Sequence, residues 1–174
     1  MIKKSLTETI LNFYSFNRTS VSDNKIRLEE ALLNCKIDEI KEIIKSHFAS
    51  IPGECYRKNK IGKYEGYYSS VIYSYFASLG LQVRCEDATN YGRIDMTVVM
   101  EHVVFIIEFK TVEGSKDKGK VIKQIKEKNY AEKYKGLKLP IYYLIGIDFD
   151  KTKRNVSSFK WEKAEAAVNY CQVS

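Results

Sequence analysis

The chain has 174 residues, 44% of them hydrophobic, and a formal net charge of +7. This length and apolar content suit about one domain with a core of its own. No apolar stretch approaches the ~20 residues of a membrane-spanning helix, and the amino terminus lacks the apolar segment of a signal peptide. The basic balance favours a polyanionic partner such as nucleic acid.

The four cysteines are scattered without a C-x-x-C pair, and the chain has only two histidines. This spacing excludes the usual zinc-binding motifs. Isolated cysteines are typical of proteins in a reducing compartment, so we expect a cytoplasmic protein with no membrane partner.

The first third of the chain has apolar residues at helical spacing, and Pro52-Gly53 ends this pattern. We predict a helical segment over residues 1–52 that packs on a domain formed by residues 53–174. Its helices are expected near 3–15, 25–34 and 37–49, followed by a basic linker over 55–63.

The order of elements after the linker is α-β-β-β-α-β-β. The first helix, over 62–80, is predicted from a stripe of apolar residues, namely Tyr64, Tyr68, Val71, Tyr75 and Leu79. The remaining elements are expected at 81–86, 94–100, 103–110, 117–135 (a lysine-rich helix), 141–147 and 156–161, the last a weak edge strand. This order predicts an α/β fold with a small mixed sheet, flanking helices and an N-terminal helical cap.

Two acidic residues and a lysine interrupt the apolar strands 94–100 and 103–110. If the loop between these strands is Glu101-His102, then Met100 pairs with Val103, and Asp95 lies opposite Glu108 with β-carbons roughly 5 Å apart. Strand alternation places Lys110 on the same face as Glu108. Because facing carboxylates repel each other among apolar residues, the pattern predicts a divalent metal between them.

This arrangement suits the hydrolysis of a phosphodiester. Asp95 and Glu108 would supply the hard anionic oxygens that Mg²⁺ or Mn²⁺ prefers, and the backbone carbonyl of Phe109 could add a neutral ligand. Lys110 would hold or deprotonate the attacking water and offset developing charge. The structural alternative is a buried ion pair in which Lys110 bridges both acids.

Two further polar residues are candidates for the same site. Glu65 lies on the border of the apolar stripe and could be a third metal carboxylate, or a solvated glutamate at a helix start. Gln124 lies among lysines of the 117–135 helix and could bind phosphate or the attacking water. The alternative is that this helix face is simply solvated.

A different function is suggested by GSKDKGK (114–120), which fits the phosphate-binding pattern G-x-x-x-x-G-K. Val121, however, occupies the position where a P-loop needs Ser or Thr for Mg²⁺, and the preceding strand belongs to a predicted antiparallel hairpin. LIGID (144–148) could pass as a strand that ends in a metal-holding aspartate. We interpret Asp148 as a turn residue at the strand end instead.

The combined pattern resembles the PD-(D/E)XK nuclease superfamily. The residues that carry the resemblance are a helix glutamate, GRID (92–95), EFK (108–110) and a helix with QIKEKNY (124–130). In particular, residues 28–163 are similar to the nuclease-like domain found C-terminal to an AAA-ATPase-like domain in many bacterial proteins. Ile94 stands where the motif's name has proline.

The resemblance implies the αβββαβ core of type II restriction enzymes and Holliday-junction resolvases. It assigns Asp95, Glu108 and Lys110 to the motif, Glu65 to the helix acid that often completes the metal site, and Gln124 to the polar residue of the following helix. The predicted nucleic-acid contacts are Lys120, Lys123, Lys126, Lys128, Tyr130 and Arg93.

The sequence therefore predicts a Mg²⁺- or Mn²⁺-dependent endonuclease that acts on DNA, branched or structured DNA included, in preference to RNA. A homodimer would bring two active sites to two strands, and the resemblance implies an AAA-ATPase-like partner domain. The alternative is a non-catalytic module on the same fold that binds nucleic acid or a protein partner.

Overall fold

The computed structural model describes residues 18–57, 64–113, 121–135 and 141–165. In these ranges the helices are α1 (Arg18–Leu33), α2 (Ile37–Ser50), α3 (Glu54–Arg57), α4 (Glu65–Ala77), α5 (Val121–Glu127) and α6 (Glu132–Lys135). The strands are β1 (Gln82–Thr89), β2 (Gly92–Val99), β3 (Val103–Val112), β4 (Ile141–Asp150) and β5 (Asn155–Glu165). Among the described helices, none has both the length and the apolar composition that crossing a bilayer requires.

The strands form one five-stranded sheet in the order β1-β2-β3-β4-β5. Neighbouring strands are antiparallel except β3 and β4, which are parallel. A parallel pair needs a crossover connection, and the segment between β3 and β4 contains α5 and α6. The predicted α/β fold with a small mixed sheet and flanking helices is therefore confirmed.

The register of the β2–β3 hairpin is the predicted one. Met96 pairs with Ile107 and Val99 with Val104, and the Met100 N–H donates to the Val103 carbonyl at 2.9 Å. If the same register continues one residue past the Met96–Ile107 pair, Asp95 lies opposite Glu108. The loop is the predicted Glu101-His102, although this dipeptide is not a preferred hairpin turn.

Each face of the sheet is covered by helices. The α4-side core contains residues of α1, α2 and α4 together with one face of the central strands, and Tyr68 stacks on Phe149 within it with ring centroids 4.5 Å apart. The α5-side core lies on the opposite face and consists of Ile94, Val104, Ile106, Ile125, Tyr130, Tyr134 and Leu144. The helices before residue 52 thus bury their apolar face against the sheet, as amphipathic helices do.

The helix predicted over 62–80 is shorter in the structure. α4 spans Glu65–Ala77. Tyr64, which we predicted in its buried stripe, is 66% exposed, because it precedes the first helical turn as the N-cap residue. The side chains that α4 buries are Tyr68, Ile72, Tyr75 and Phe76.

The helix predicted over 117–135 is interrupted. α5 ends at Glu127 and α6 begins at Glu132, and Asn129 between them has a left-handed backbone with φ 45°. A residue in this conformation cannot continue a right-handed helix. Residues 114–120, with the G-x-x-x-x-G-K pattern and Lys120, lie outside the described residues.

Other boundaries also differ from the sequence prediction. The edge strand predicted over 156–161 is an eleven-residue strand, β5, because its pairing with β4 extends from Asn155 to Glu165 and is interrupted only at Ser157. The first part of the predicted linker forms α3, while 58–63 lie outside the described residues. The helix predicted near 3–15 also lies outside the described residues.

α6 is tied to β1 by a buried polar network. Asp87 accepts hydrogen bonds from the Lys133 ammonium, from the Tyr134 hydroxyl and, at 3.3 Å, from the Thr97 hydroxyl. Burial by itself would raise the pKa of Asp87, but these hydrogen bonds outweigh it and lower the pKa. The network fixes α6, and with it the turn after α5.

His47 gives the fold a defined sensitivity to acid. The ring is buried and stacks on Tyr75 with centroids 4.4 Å apart, and burial lowers its pKa to about 4. Between pH 6.5 and 4 the unfolded chain binds this proton and the folded protein does not, so stability falls as the pH falls. For unfolded and folded pKa values of 6.5 and about 4, the loss at pH 5 is about 2 kcal/mol.

Between pH 7 and pH 5, the free energy of unfolding should fall by about 2 kcal/mol less in His47→Phe than in the unchanged protein. Urea unfolding at both pH values measures this difference. The matched control is His102→Phe, because the His102 side chain is 79% exposed. Equal acid sensitivity in His47→Phe and the unchanged protein would contradict the prediction.

Candidate active site

The backbone pairing of β2 with β3 ends at Met96 and Ile107. Beyond this pair, side-chain carboxylates accept hydrogen bonds from the backbone N–H groups of β3. The Phe109 N–H donates to Asp95 Oδ2 at 2.8 Å, and the Thr111 N–H donates to Glu65 Oε2 at 3.1 Å. Both N–H groups point to the side of β3 on which β2 lies, so the side chains replace backbone partners. The ladder therefore splits where the predicted site residues meet.

Asp95 and Glu108 form a close acidic pair at this split. Glu108 is 3% exposed, and burial, followed by the charge of Asp95, raises its pKa to about 8. Burial also raises the pKa of Asp95, and the two carboxyl groups are close enough to share a hydrogen bond. Two like charges so near each other in a buried place cannot both be ionised cheaply. A proton or a bound cation would remove this repulsion and stabilise the pair.

The two carboxylate oxygens of Glu108 differ in their hydrogen bonding. Gln124 of α5 donates its side-chain N–H to Glu108 Oε2 at 3.3 Å. Glu108 Oε1 is buried and has no hydrogen-bond partner among the described residues. A buried acceptor without a donor is costly, and it marks a place where an unseen cation or donor fits.

β2 is irregular at Asp95. Ile94 belongs to the α5-side core and Met96 to the α4-side core, although regular alternation would place both on one face. Glu86, opposite Asp95 in the β1–β2 register, has φ 52° and is skipped by the ladder. We therefore correct the prediction that alternation alone brings the two acids and Lys110 to one face. Asp95 reaches Glu108 through a distorted point in the sheet, and such distortion is common at functional sites.

Glu65 begins α4 and lies beside Asp95. Burial raises the pKa of Glu65, and the hydrogen bond from the Thr111 N–H opposes this shift. The charge of Asp95 raises the pKa further, whereas the charge of Lys110 lowers it. An open cavity of about 400 Å³ joins α4 to β1 and β2. Its lining residues are Glu65, Gly66, Ser69, Ser70, Tyr73, Val83, Cys85, Glu86, Asp95 and Phe109.

Lys110 is half-buried and lies in the β3–β4 ladder directly beside Asp148. We predicted that Asp148 is a turn residue at the end of its strand. This prediction is wrong, because β4 continues to Asp150. The Asp148 side chain is 1% exposed. The turn role belongs to Asp150, whose Oδ1 accepts hydrogen bonds from the N–H groups of Thr152 and Lys153.

Three of the predicted nucleic-acid contacts form ion pairs in the structure. Lys123 forms an ion pair with Glu127 at 3.6 Å, and Lys126 forms one with Glu162 at 2.6 Å. Arg93 is likewise paired, with Glu86 at 2.6 Å. All three cations are exposed, so their pairs are weak and can exchange for phosphate.

Tyr130 has a structural role. The ring is 1% exposed, and the hydroxyl donates to the Arg93 carbonyl at 2.8 Å. This burial corrects the prediction that Tyr130 contacts nucleic acid, because a base cannot reach the ring. Gly92, which precedes Arg93, has φ 135°, a backbone conformation that favours glycine.

Lys128, just after the end of α5, lies close enough to both acids for its charge to act on them. Its ammonium lies 5.5 Å from the centroid of the Tyr130 ring, and its hydrogen bond with Tyr130 raises the pKa of Lys128. Burial raises the pKa values of Asp95 and Glu108, and the charge of Lys128 partly offsets both shifts. Sequence spacing placed Lys128 on a lysine track but did not place it beside the carboxylates.

Glu86 and Asp148 are polar neighbours of the site that our predicted set omits. Glu86 follows no motif, and its place opposite Asp95 depends on the β1–β2 register. Asp148 does carry a signal, since it is a carboxylate at the end of the apolar stretch 141–147. Its position beside Lys110 depends on the parallel register of β3 and β4.

The residues present suit a divalent cation. Within the described ranges, no three His, Cys, Asp or Glu side chains are already gathered into a metal-binding group. The Asp95–Glu108 pair nevertheless combines repelling carboxylates with the uncommitted Glu108 Oε1. The Phe109 carbonyl points to the same side of β3 as its N–H, toward this gap. Oxygen donors of this kind suit hard cations.

The position of Gln124 depends on a close contact between α5 and β4. A β-carbon on Gly146 would lie 3.0 Å from the Ile122 nitrogen and 3.1 Å from the Val121 β-carbon. Gly146→Ala must therefore displace the start of α5, and we expect a loss of about 1–3 kcal/mol in the free energy of unfolding. Urea unfolding measures this loss.

The control is Gly66→Ala in α4, where a β-carbon meets nothing within 4 Å. In this helix alanine should stabilise the protein by about 0.5–1 kcal/mol. If Gly146→Ala were as stable as the unchanged protein, the contact would not hold α5 in place.

The described part of the chain is an α/β domain whose mixed sheet splits at an acidic pair, with a lysine two residues after the glutamate. Residues 63–159 match the PD-(D/E)XK nuclease superfamily, and the chain belongs to this superfamily. Its enzymes usually use divalent metal ions and act on nucleic acid.

A curated relative from Azotobacter chroococcum mcd 1, described as an uncharacterized protein in the vnfD 5′ region, is 44% identical over 158 residues. The match covers 91% of this chain but 30% of the relative, so the chain spans less than a third of that protein's length. No solved structure matches the chain significantly.

Proposed function

We propose that this chain is a Mg²⁺- or Mn²⁺-dependent endonuclease that hydrolyses phosphodiester bonds in DNA. The observation that carries the proposal is the buried Asp95–Glu108 pair at the split between β2 and β3. This pair leaves Glu108 Oε1 without a partner among the described residues and raises the pKa of Glu108, through burial and the Asp95 charge, to about 8. DNA is proposed ahead of RNA because the restriction enzymes and resolvases that the fold resembles act on DNA.

In this proposal Asp95 and Glu108 hold the cation, with the Phe109 carbonyl as a neutral ligand and Glu65 as a further carboxylate. A bound divalent cation would neutralise the acids and stabilise charge that develops on the phosphate oxygens. Glu65 also holds the Thr111 N–H, so it fixes the strand immediately after Lys110.

The remaining groups orient water and phosphate. Lys110 orients the attacking water and offers positive charge to the phosphate. Gln124 holds Glu108 through Oε2, which leaves Oε1 for the cation. Lys128 flanks the acids, and Lys123, Lys126 and Arg93 are proposed phosphate contacts that exchange their present acidic partners for nucleic acid.

The test is a cleavage assay on linear, nicked and branched DNA and on RNA, with Mg²⁺, Mn²⁺ or EDTA. We expect metal-dependent cleavage of DNA and none in EDTA. Binding of DNA without cleavage under every condition would favour the alternative function, a non-catalytic module on the same fold. ATP should leave the melting temperature unchanged, whereas a P-loop protein would be stabilised.

The homodimer, the AAA-ATPase-like partner domain and the cytoplasmic location belong to the same proposal. Cleavage of both strands of a duplex would be served by two active sites. The relative's greater length leaves room for a further domain in that protein. Analytical ultracentrifugation with and without DNA would test the dimer directly.

A further inference from the structure

The open cavity between α4 and the β1–β2 edge of the sheet reaches Asp95, one of the two proposed metal acids. Its volume of about 400 Å³ falls within the ~300–1,000 Å³ that is usual for pockets that bind small organic groups. Glu65 and Phe109 also line it, so a group that enters the cavity lies beside the proposed metal site. The proposed reaction uses these three residues and assigns no role to the rest of the cavity.

One wall of the cavity is a face of α4. Gly66, Ser69, Ser70 and Tyr73 recur at helical spacing and all line the cavity. The first three are small and leave space above the helix, and Tyr73 adds an aromatic ring one turn further along. This ring is 40% exposed, so it offers a flat surface on which a nucleobase can stack.

The polar groups of the cavity are mainly hydrogen-bond acceptors. The hydroxyls of Ser69 and Ser70 donate to backbone carbonyls of their own helix, at 3.2 and 2.9 Å, and keep their oxygen lone pairs for a ligand. Glu86 and Asp95 add carboxylates, and none of the described lining residues is Lys or Arg. These acids would repel a phosphate, whereas a neutral group with N–H donors would find partners.

Glu86 links the cavity to the phosphate contacts proposed above. Arg93 holds the Glu86 carboxylate at 2.6 Å, and both side chains are more than 60% exposed. Because an exposed ion pair is weak, a DNA phosphate can take Arg93 over. Glu86 would then present a released carboxylate to the cavity, so a phosphate outside the cavity and an N–H donor inside it can be bound together.

We propose that this cavity receives one unpaired nucleobase with an exocyclic amino group, from a nucleotide close to the bond that is cleaved. The base stacks on Tyr73, and its amino group donates to Glu86 or to a serine hydroxyl. Adenine and cytosine present such an amino group, whereas thymine presents a carbonyl oxygen in its place. The inference deepens the proposed function and rests on it for the choice of DNA. The substrate class is then DNA with unpaired nucleotides, since extracting a base from a duplex costs free energy.

Binding measurements in EDTA test the base site without any cleavage. The ligands are fluorescent DNA hairpins of equal stem length at fixed salt, either fully paired or with one unpaired adenine, cytosine or thymine. Unpaired adenine or cytosine should lower the dissociation constant at least about fivefold relative to the paired hairpin, because a stacked base is gained. Unpaired thymine should bind at least about threefold more weakly than adenine. Equal dissociation constants for all four hairpins would overturn the proposal.

Tyr73→Leu removes the stacking surface. It should raise the dissociation constant of the unpaired-adenine hairpin at least about fivefold and leave that of the paired hairpin within twofold, whereas Tyr73→Phe should keep the preference. The matched control is Tyr91→Leu, because Tyr91 is 56% exposed and lines a different cavity. It should leave the ratio of the two constants within twofold. An unchanged ratio in Tyr73→Leu would contradict the proposal.

Cys85 reports on the occupancy of the cavity directly. It is exposed and lines the cavity, whereas Cys55 does not. A saturating amount of the unpaired-adenine hairpin should slow the alkylation of Cys85 by iodoacetamide at least fivefold and leave Cys55 within twofold, as measured by mass spectrometry. Unprotected Cys85 would mean that the base binds elsewhere.

The outcomes separate this inference from the proposed function. If the unpaired hairpins bind as expected but no DNA is cleaved with Mg²⁺ or Mn²⁺, the proposed function fails and the base site stands. If the protein cleaves DNA but binds all four hairpins equally, the base site fails and the function stands. Absence of binding to every hairpin would also overturn the base site. These measurements on the unchanged protein decide the matter even if Tyr73→Leu does not fold.

Discussion

Replacing Glu108 by glutamine is expected to abolish cleavage while leaving the fold as stable as before, or more stable. Glutamine keeps the shape of the side chain and its contact with Gln124 but removes the charge. The rate should fall by about 10³-fold or more, because both the cation and the charge stabilisation that it provides are lost. Metal titration by calorimetry should show binding at least ~10-fold weaker, since changes outside the ligand set alone cost ~10–100-fold.

The stability half of this prediction follows from electrostatics. Burial and the charge of Asp95 raise the pKa of Glu108 to about 8, well above its unfolded value. The folded protein then binds a proton that the unfolded chain releases, so stability falls as the pH rises from about 4.5 to about 8. In EDTA at pH 8, Glu108→Gln should therefore melt at or above the temperature of the unchanged protein.

The control for Glu108 is Glu101→Gln, because the Glu101 side chain is 87% exposed in the hairpin loop. It should change neither cleavage nor metal affinity. Unchanged metal binding in Glu108→Gln would remove Glu108 from the metal site. Severe unfolding of that variant would show that the carboxylate is structural.

Replacing Lys110 by methionine is expected to separate binding from catalysis. Methionine fills a similar volume without the ammonium, so the attacking water loses its partner and the phosphate loses a nearby charge. We expect a fall of about 10²–10⁴-fold in the single-turnover cleavage rate. The DNA dissociation constant, measured by fluorescence anisotropy at fixed salt, should rise less than about tenfold, because one phosphate contact among several is lost.

This variant discriminates between the two candidate functions. A non-catalytic module would bind DNA equally with or without the Lys110 ammonium, and neither protein would cleave. Lys45→Met is the matched control, since Lys45 lies on α2 and contacts Glu42 at 3.2 Å. It should match the unchanged protein in both assays.

The sequence by itself determined the strands and the register of the β2–β3 hairpin. Apolar stretches bounded by Gly, Pro and charged residues predict buried strands, and a two-residue loop fixes the register of a hairpin. From this register alone Asp95 falls opposite Glu108, and the strand after a crossover is correctly expected to be buried. These are local effects, carried by contacts close in sequence.

Only the tertiary structure decided how the site is completed. Asp148 lies beside Lys110 because β4 returns parallel to β3, and no local pattern specifies that register. Tyr130 is buried because the chain turns at Asn129 and closes over β2. The carboxylate of Glu65 reaches the Thr111 N–H, although 46 residues separate them. Side chains so far apart in sequence meet through the packing of whole elements, and this packing is decided by the summed burial of both cores.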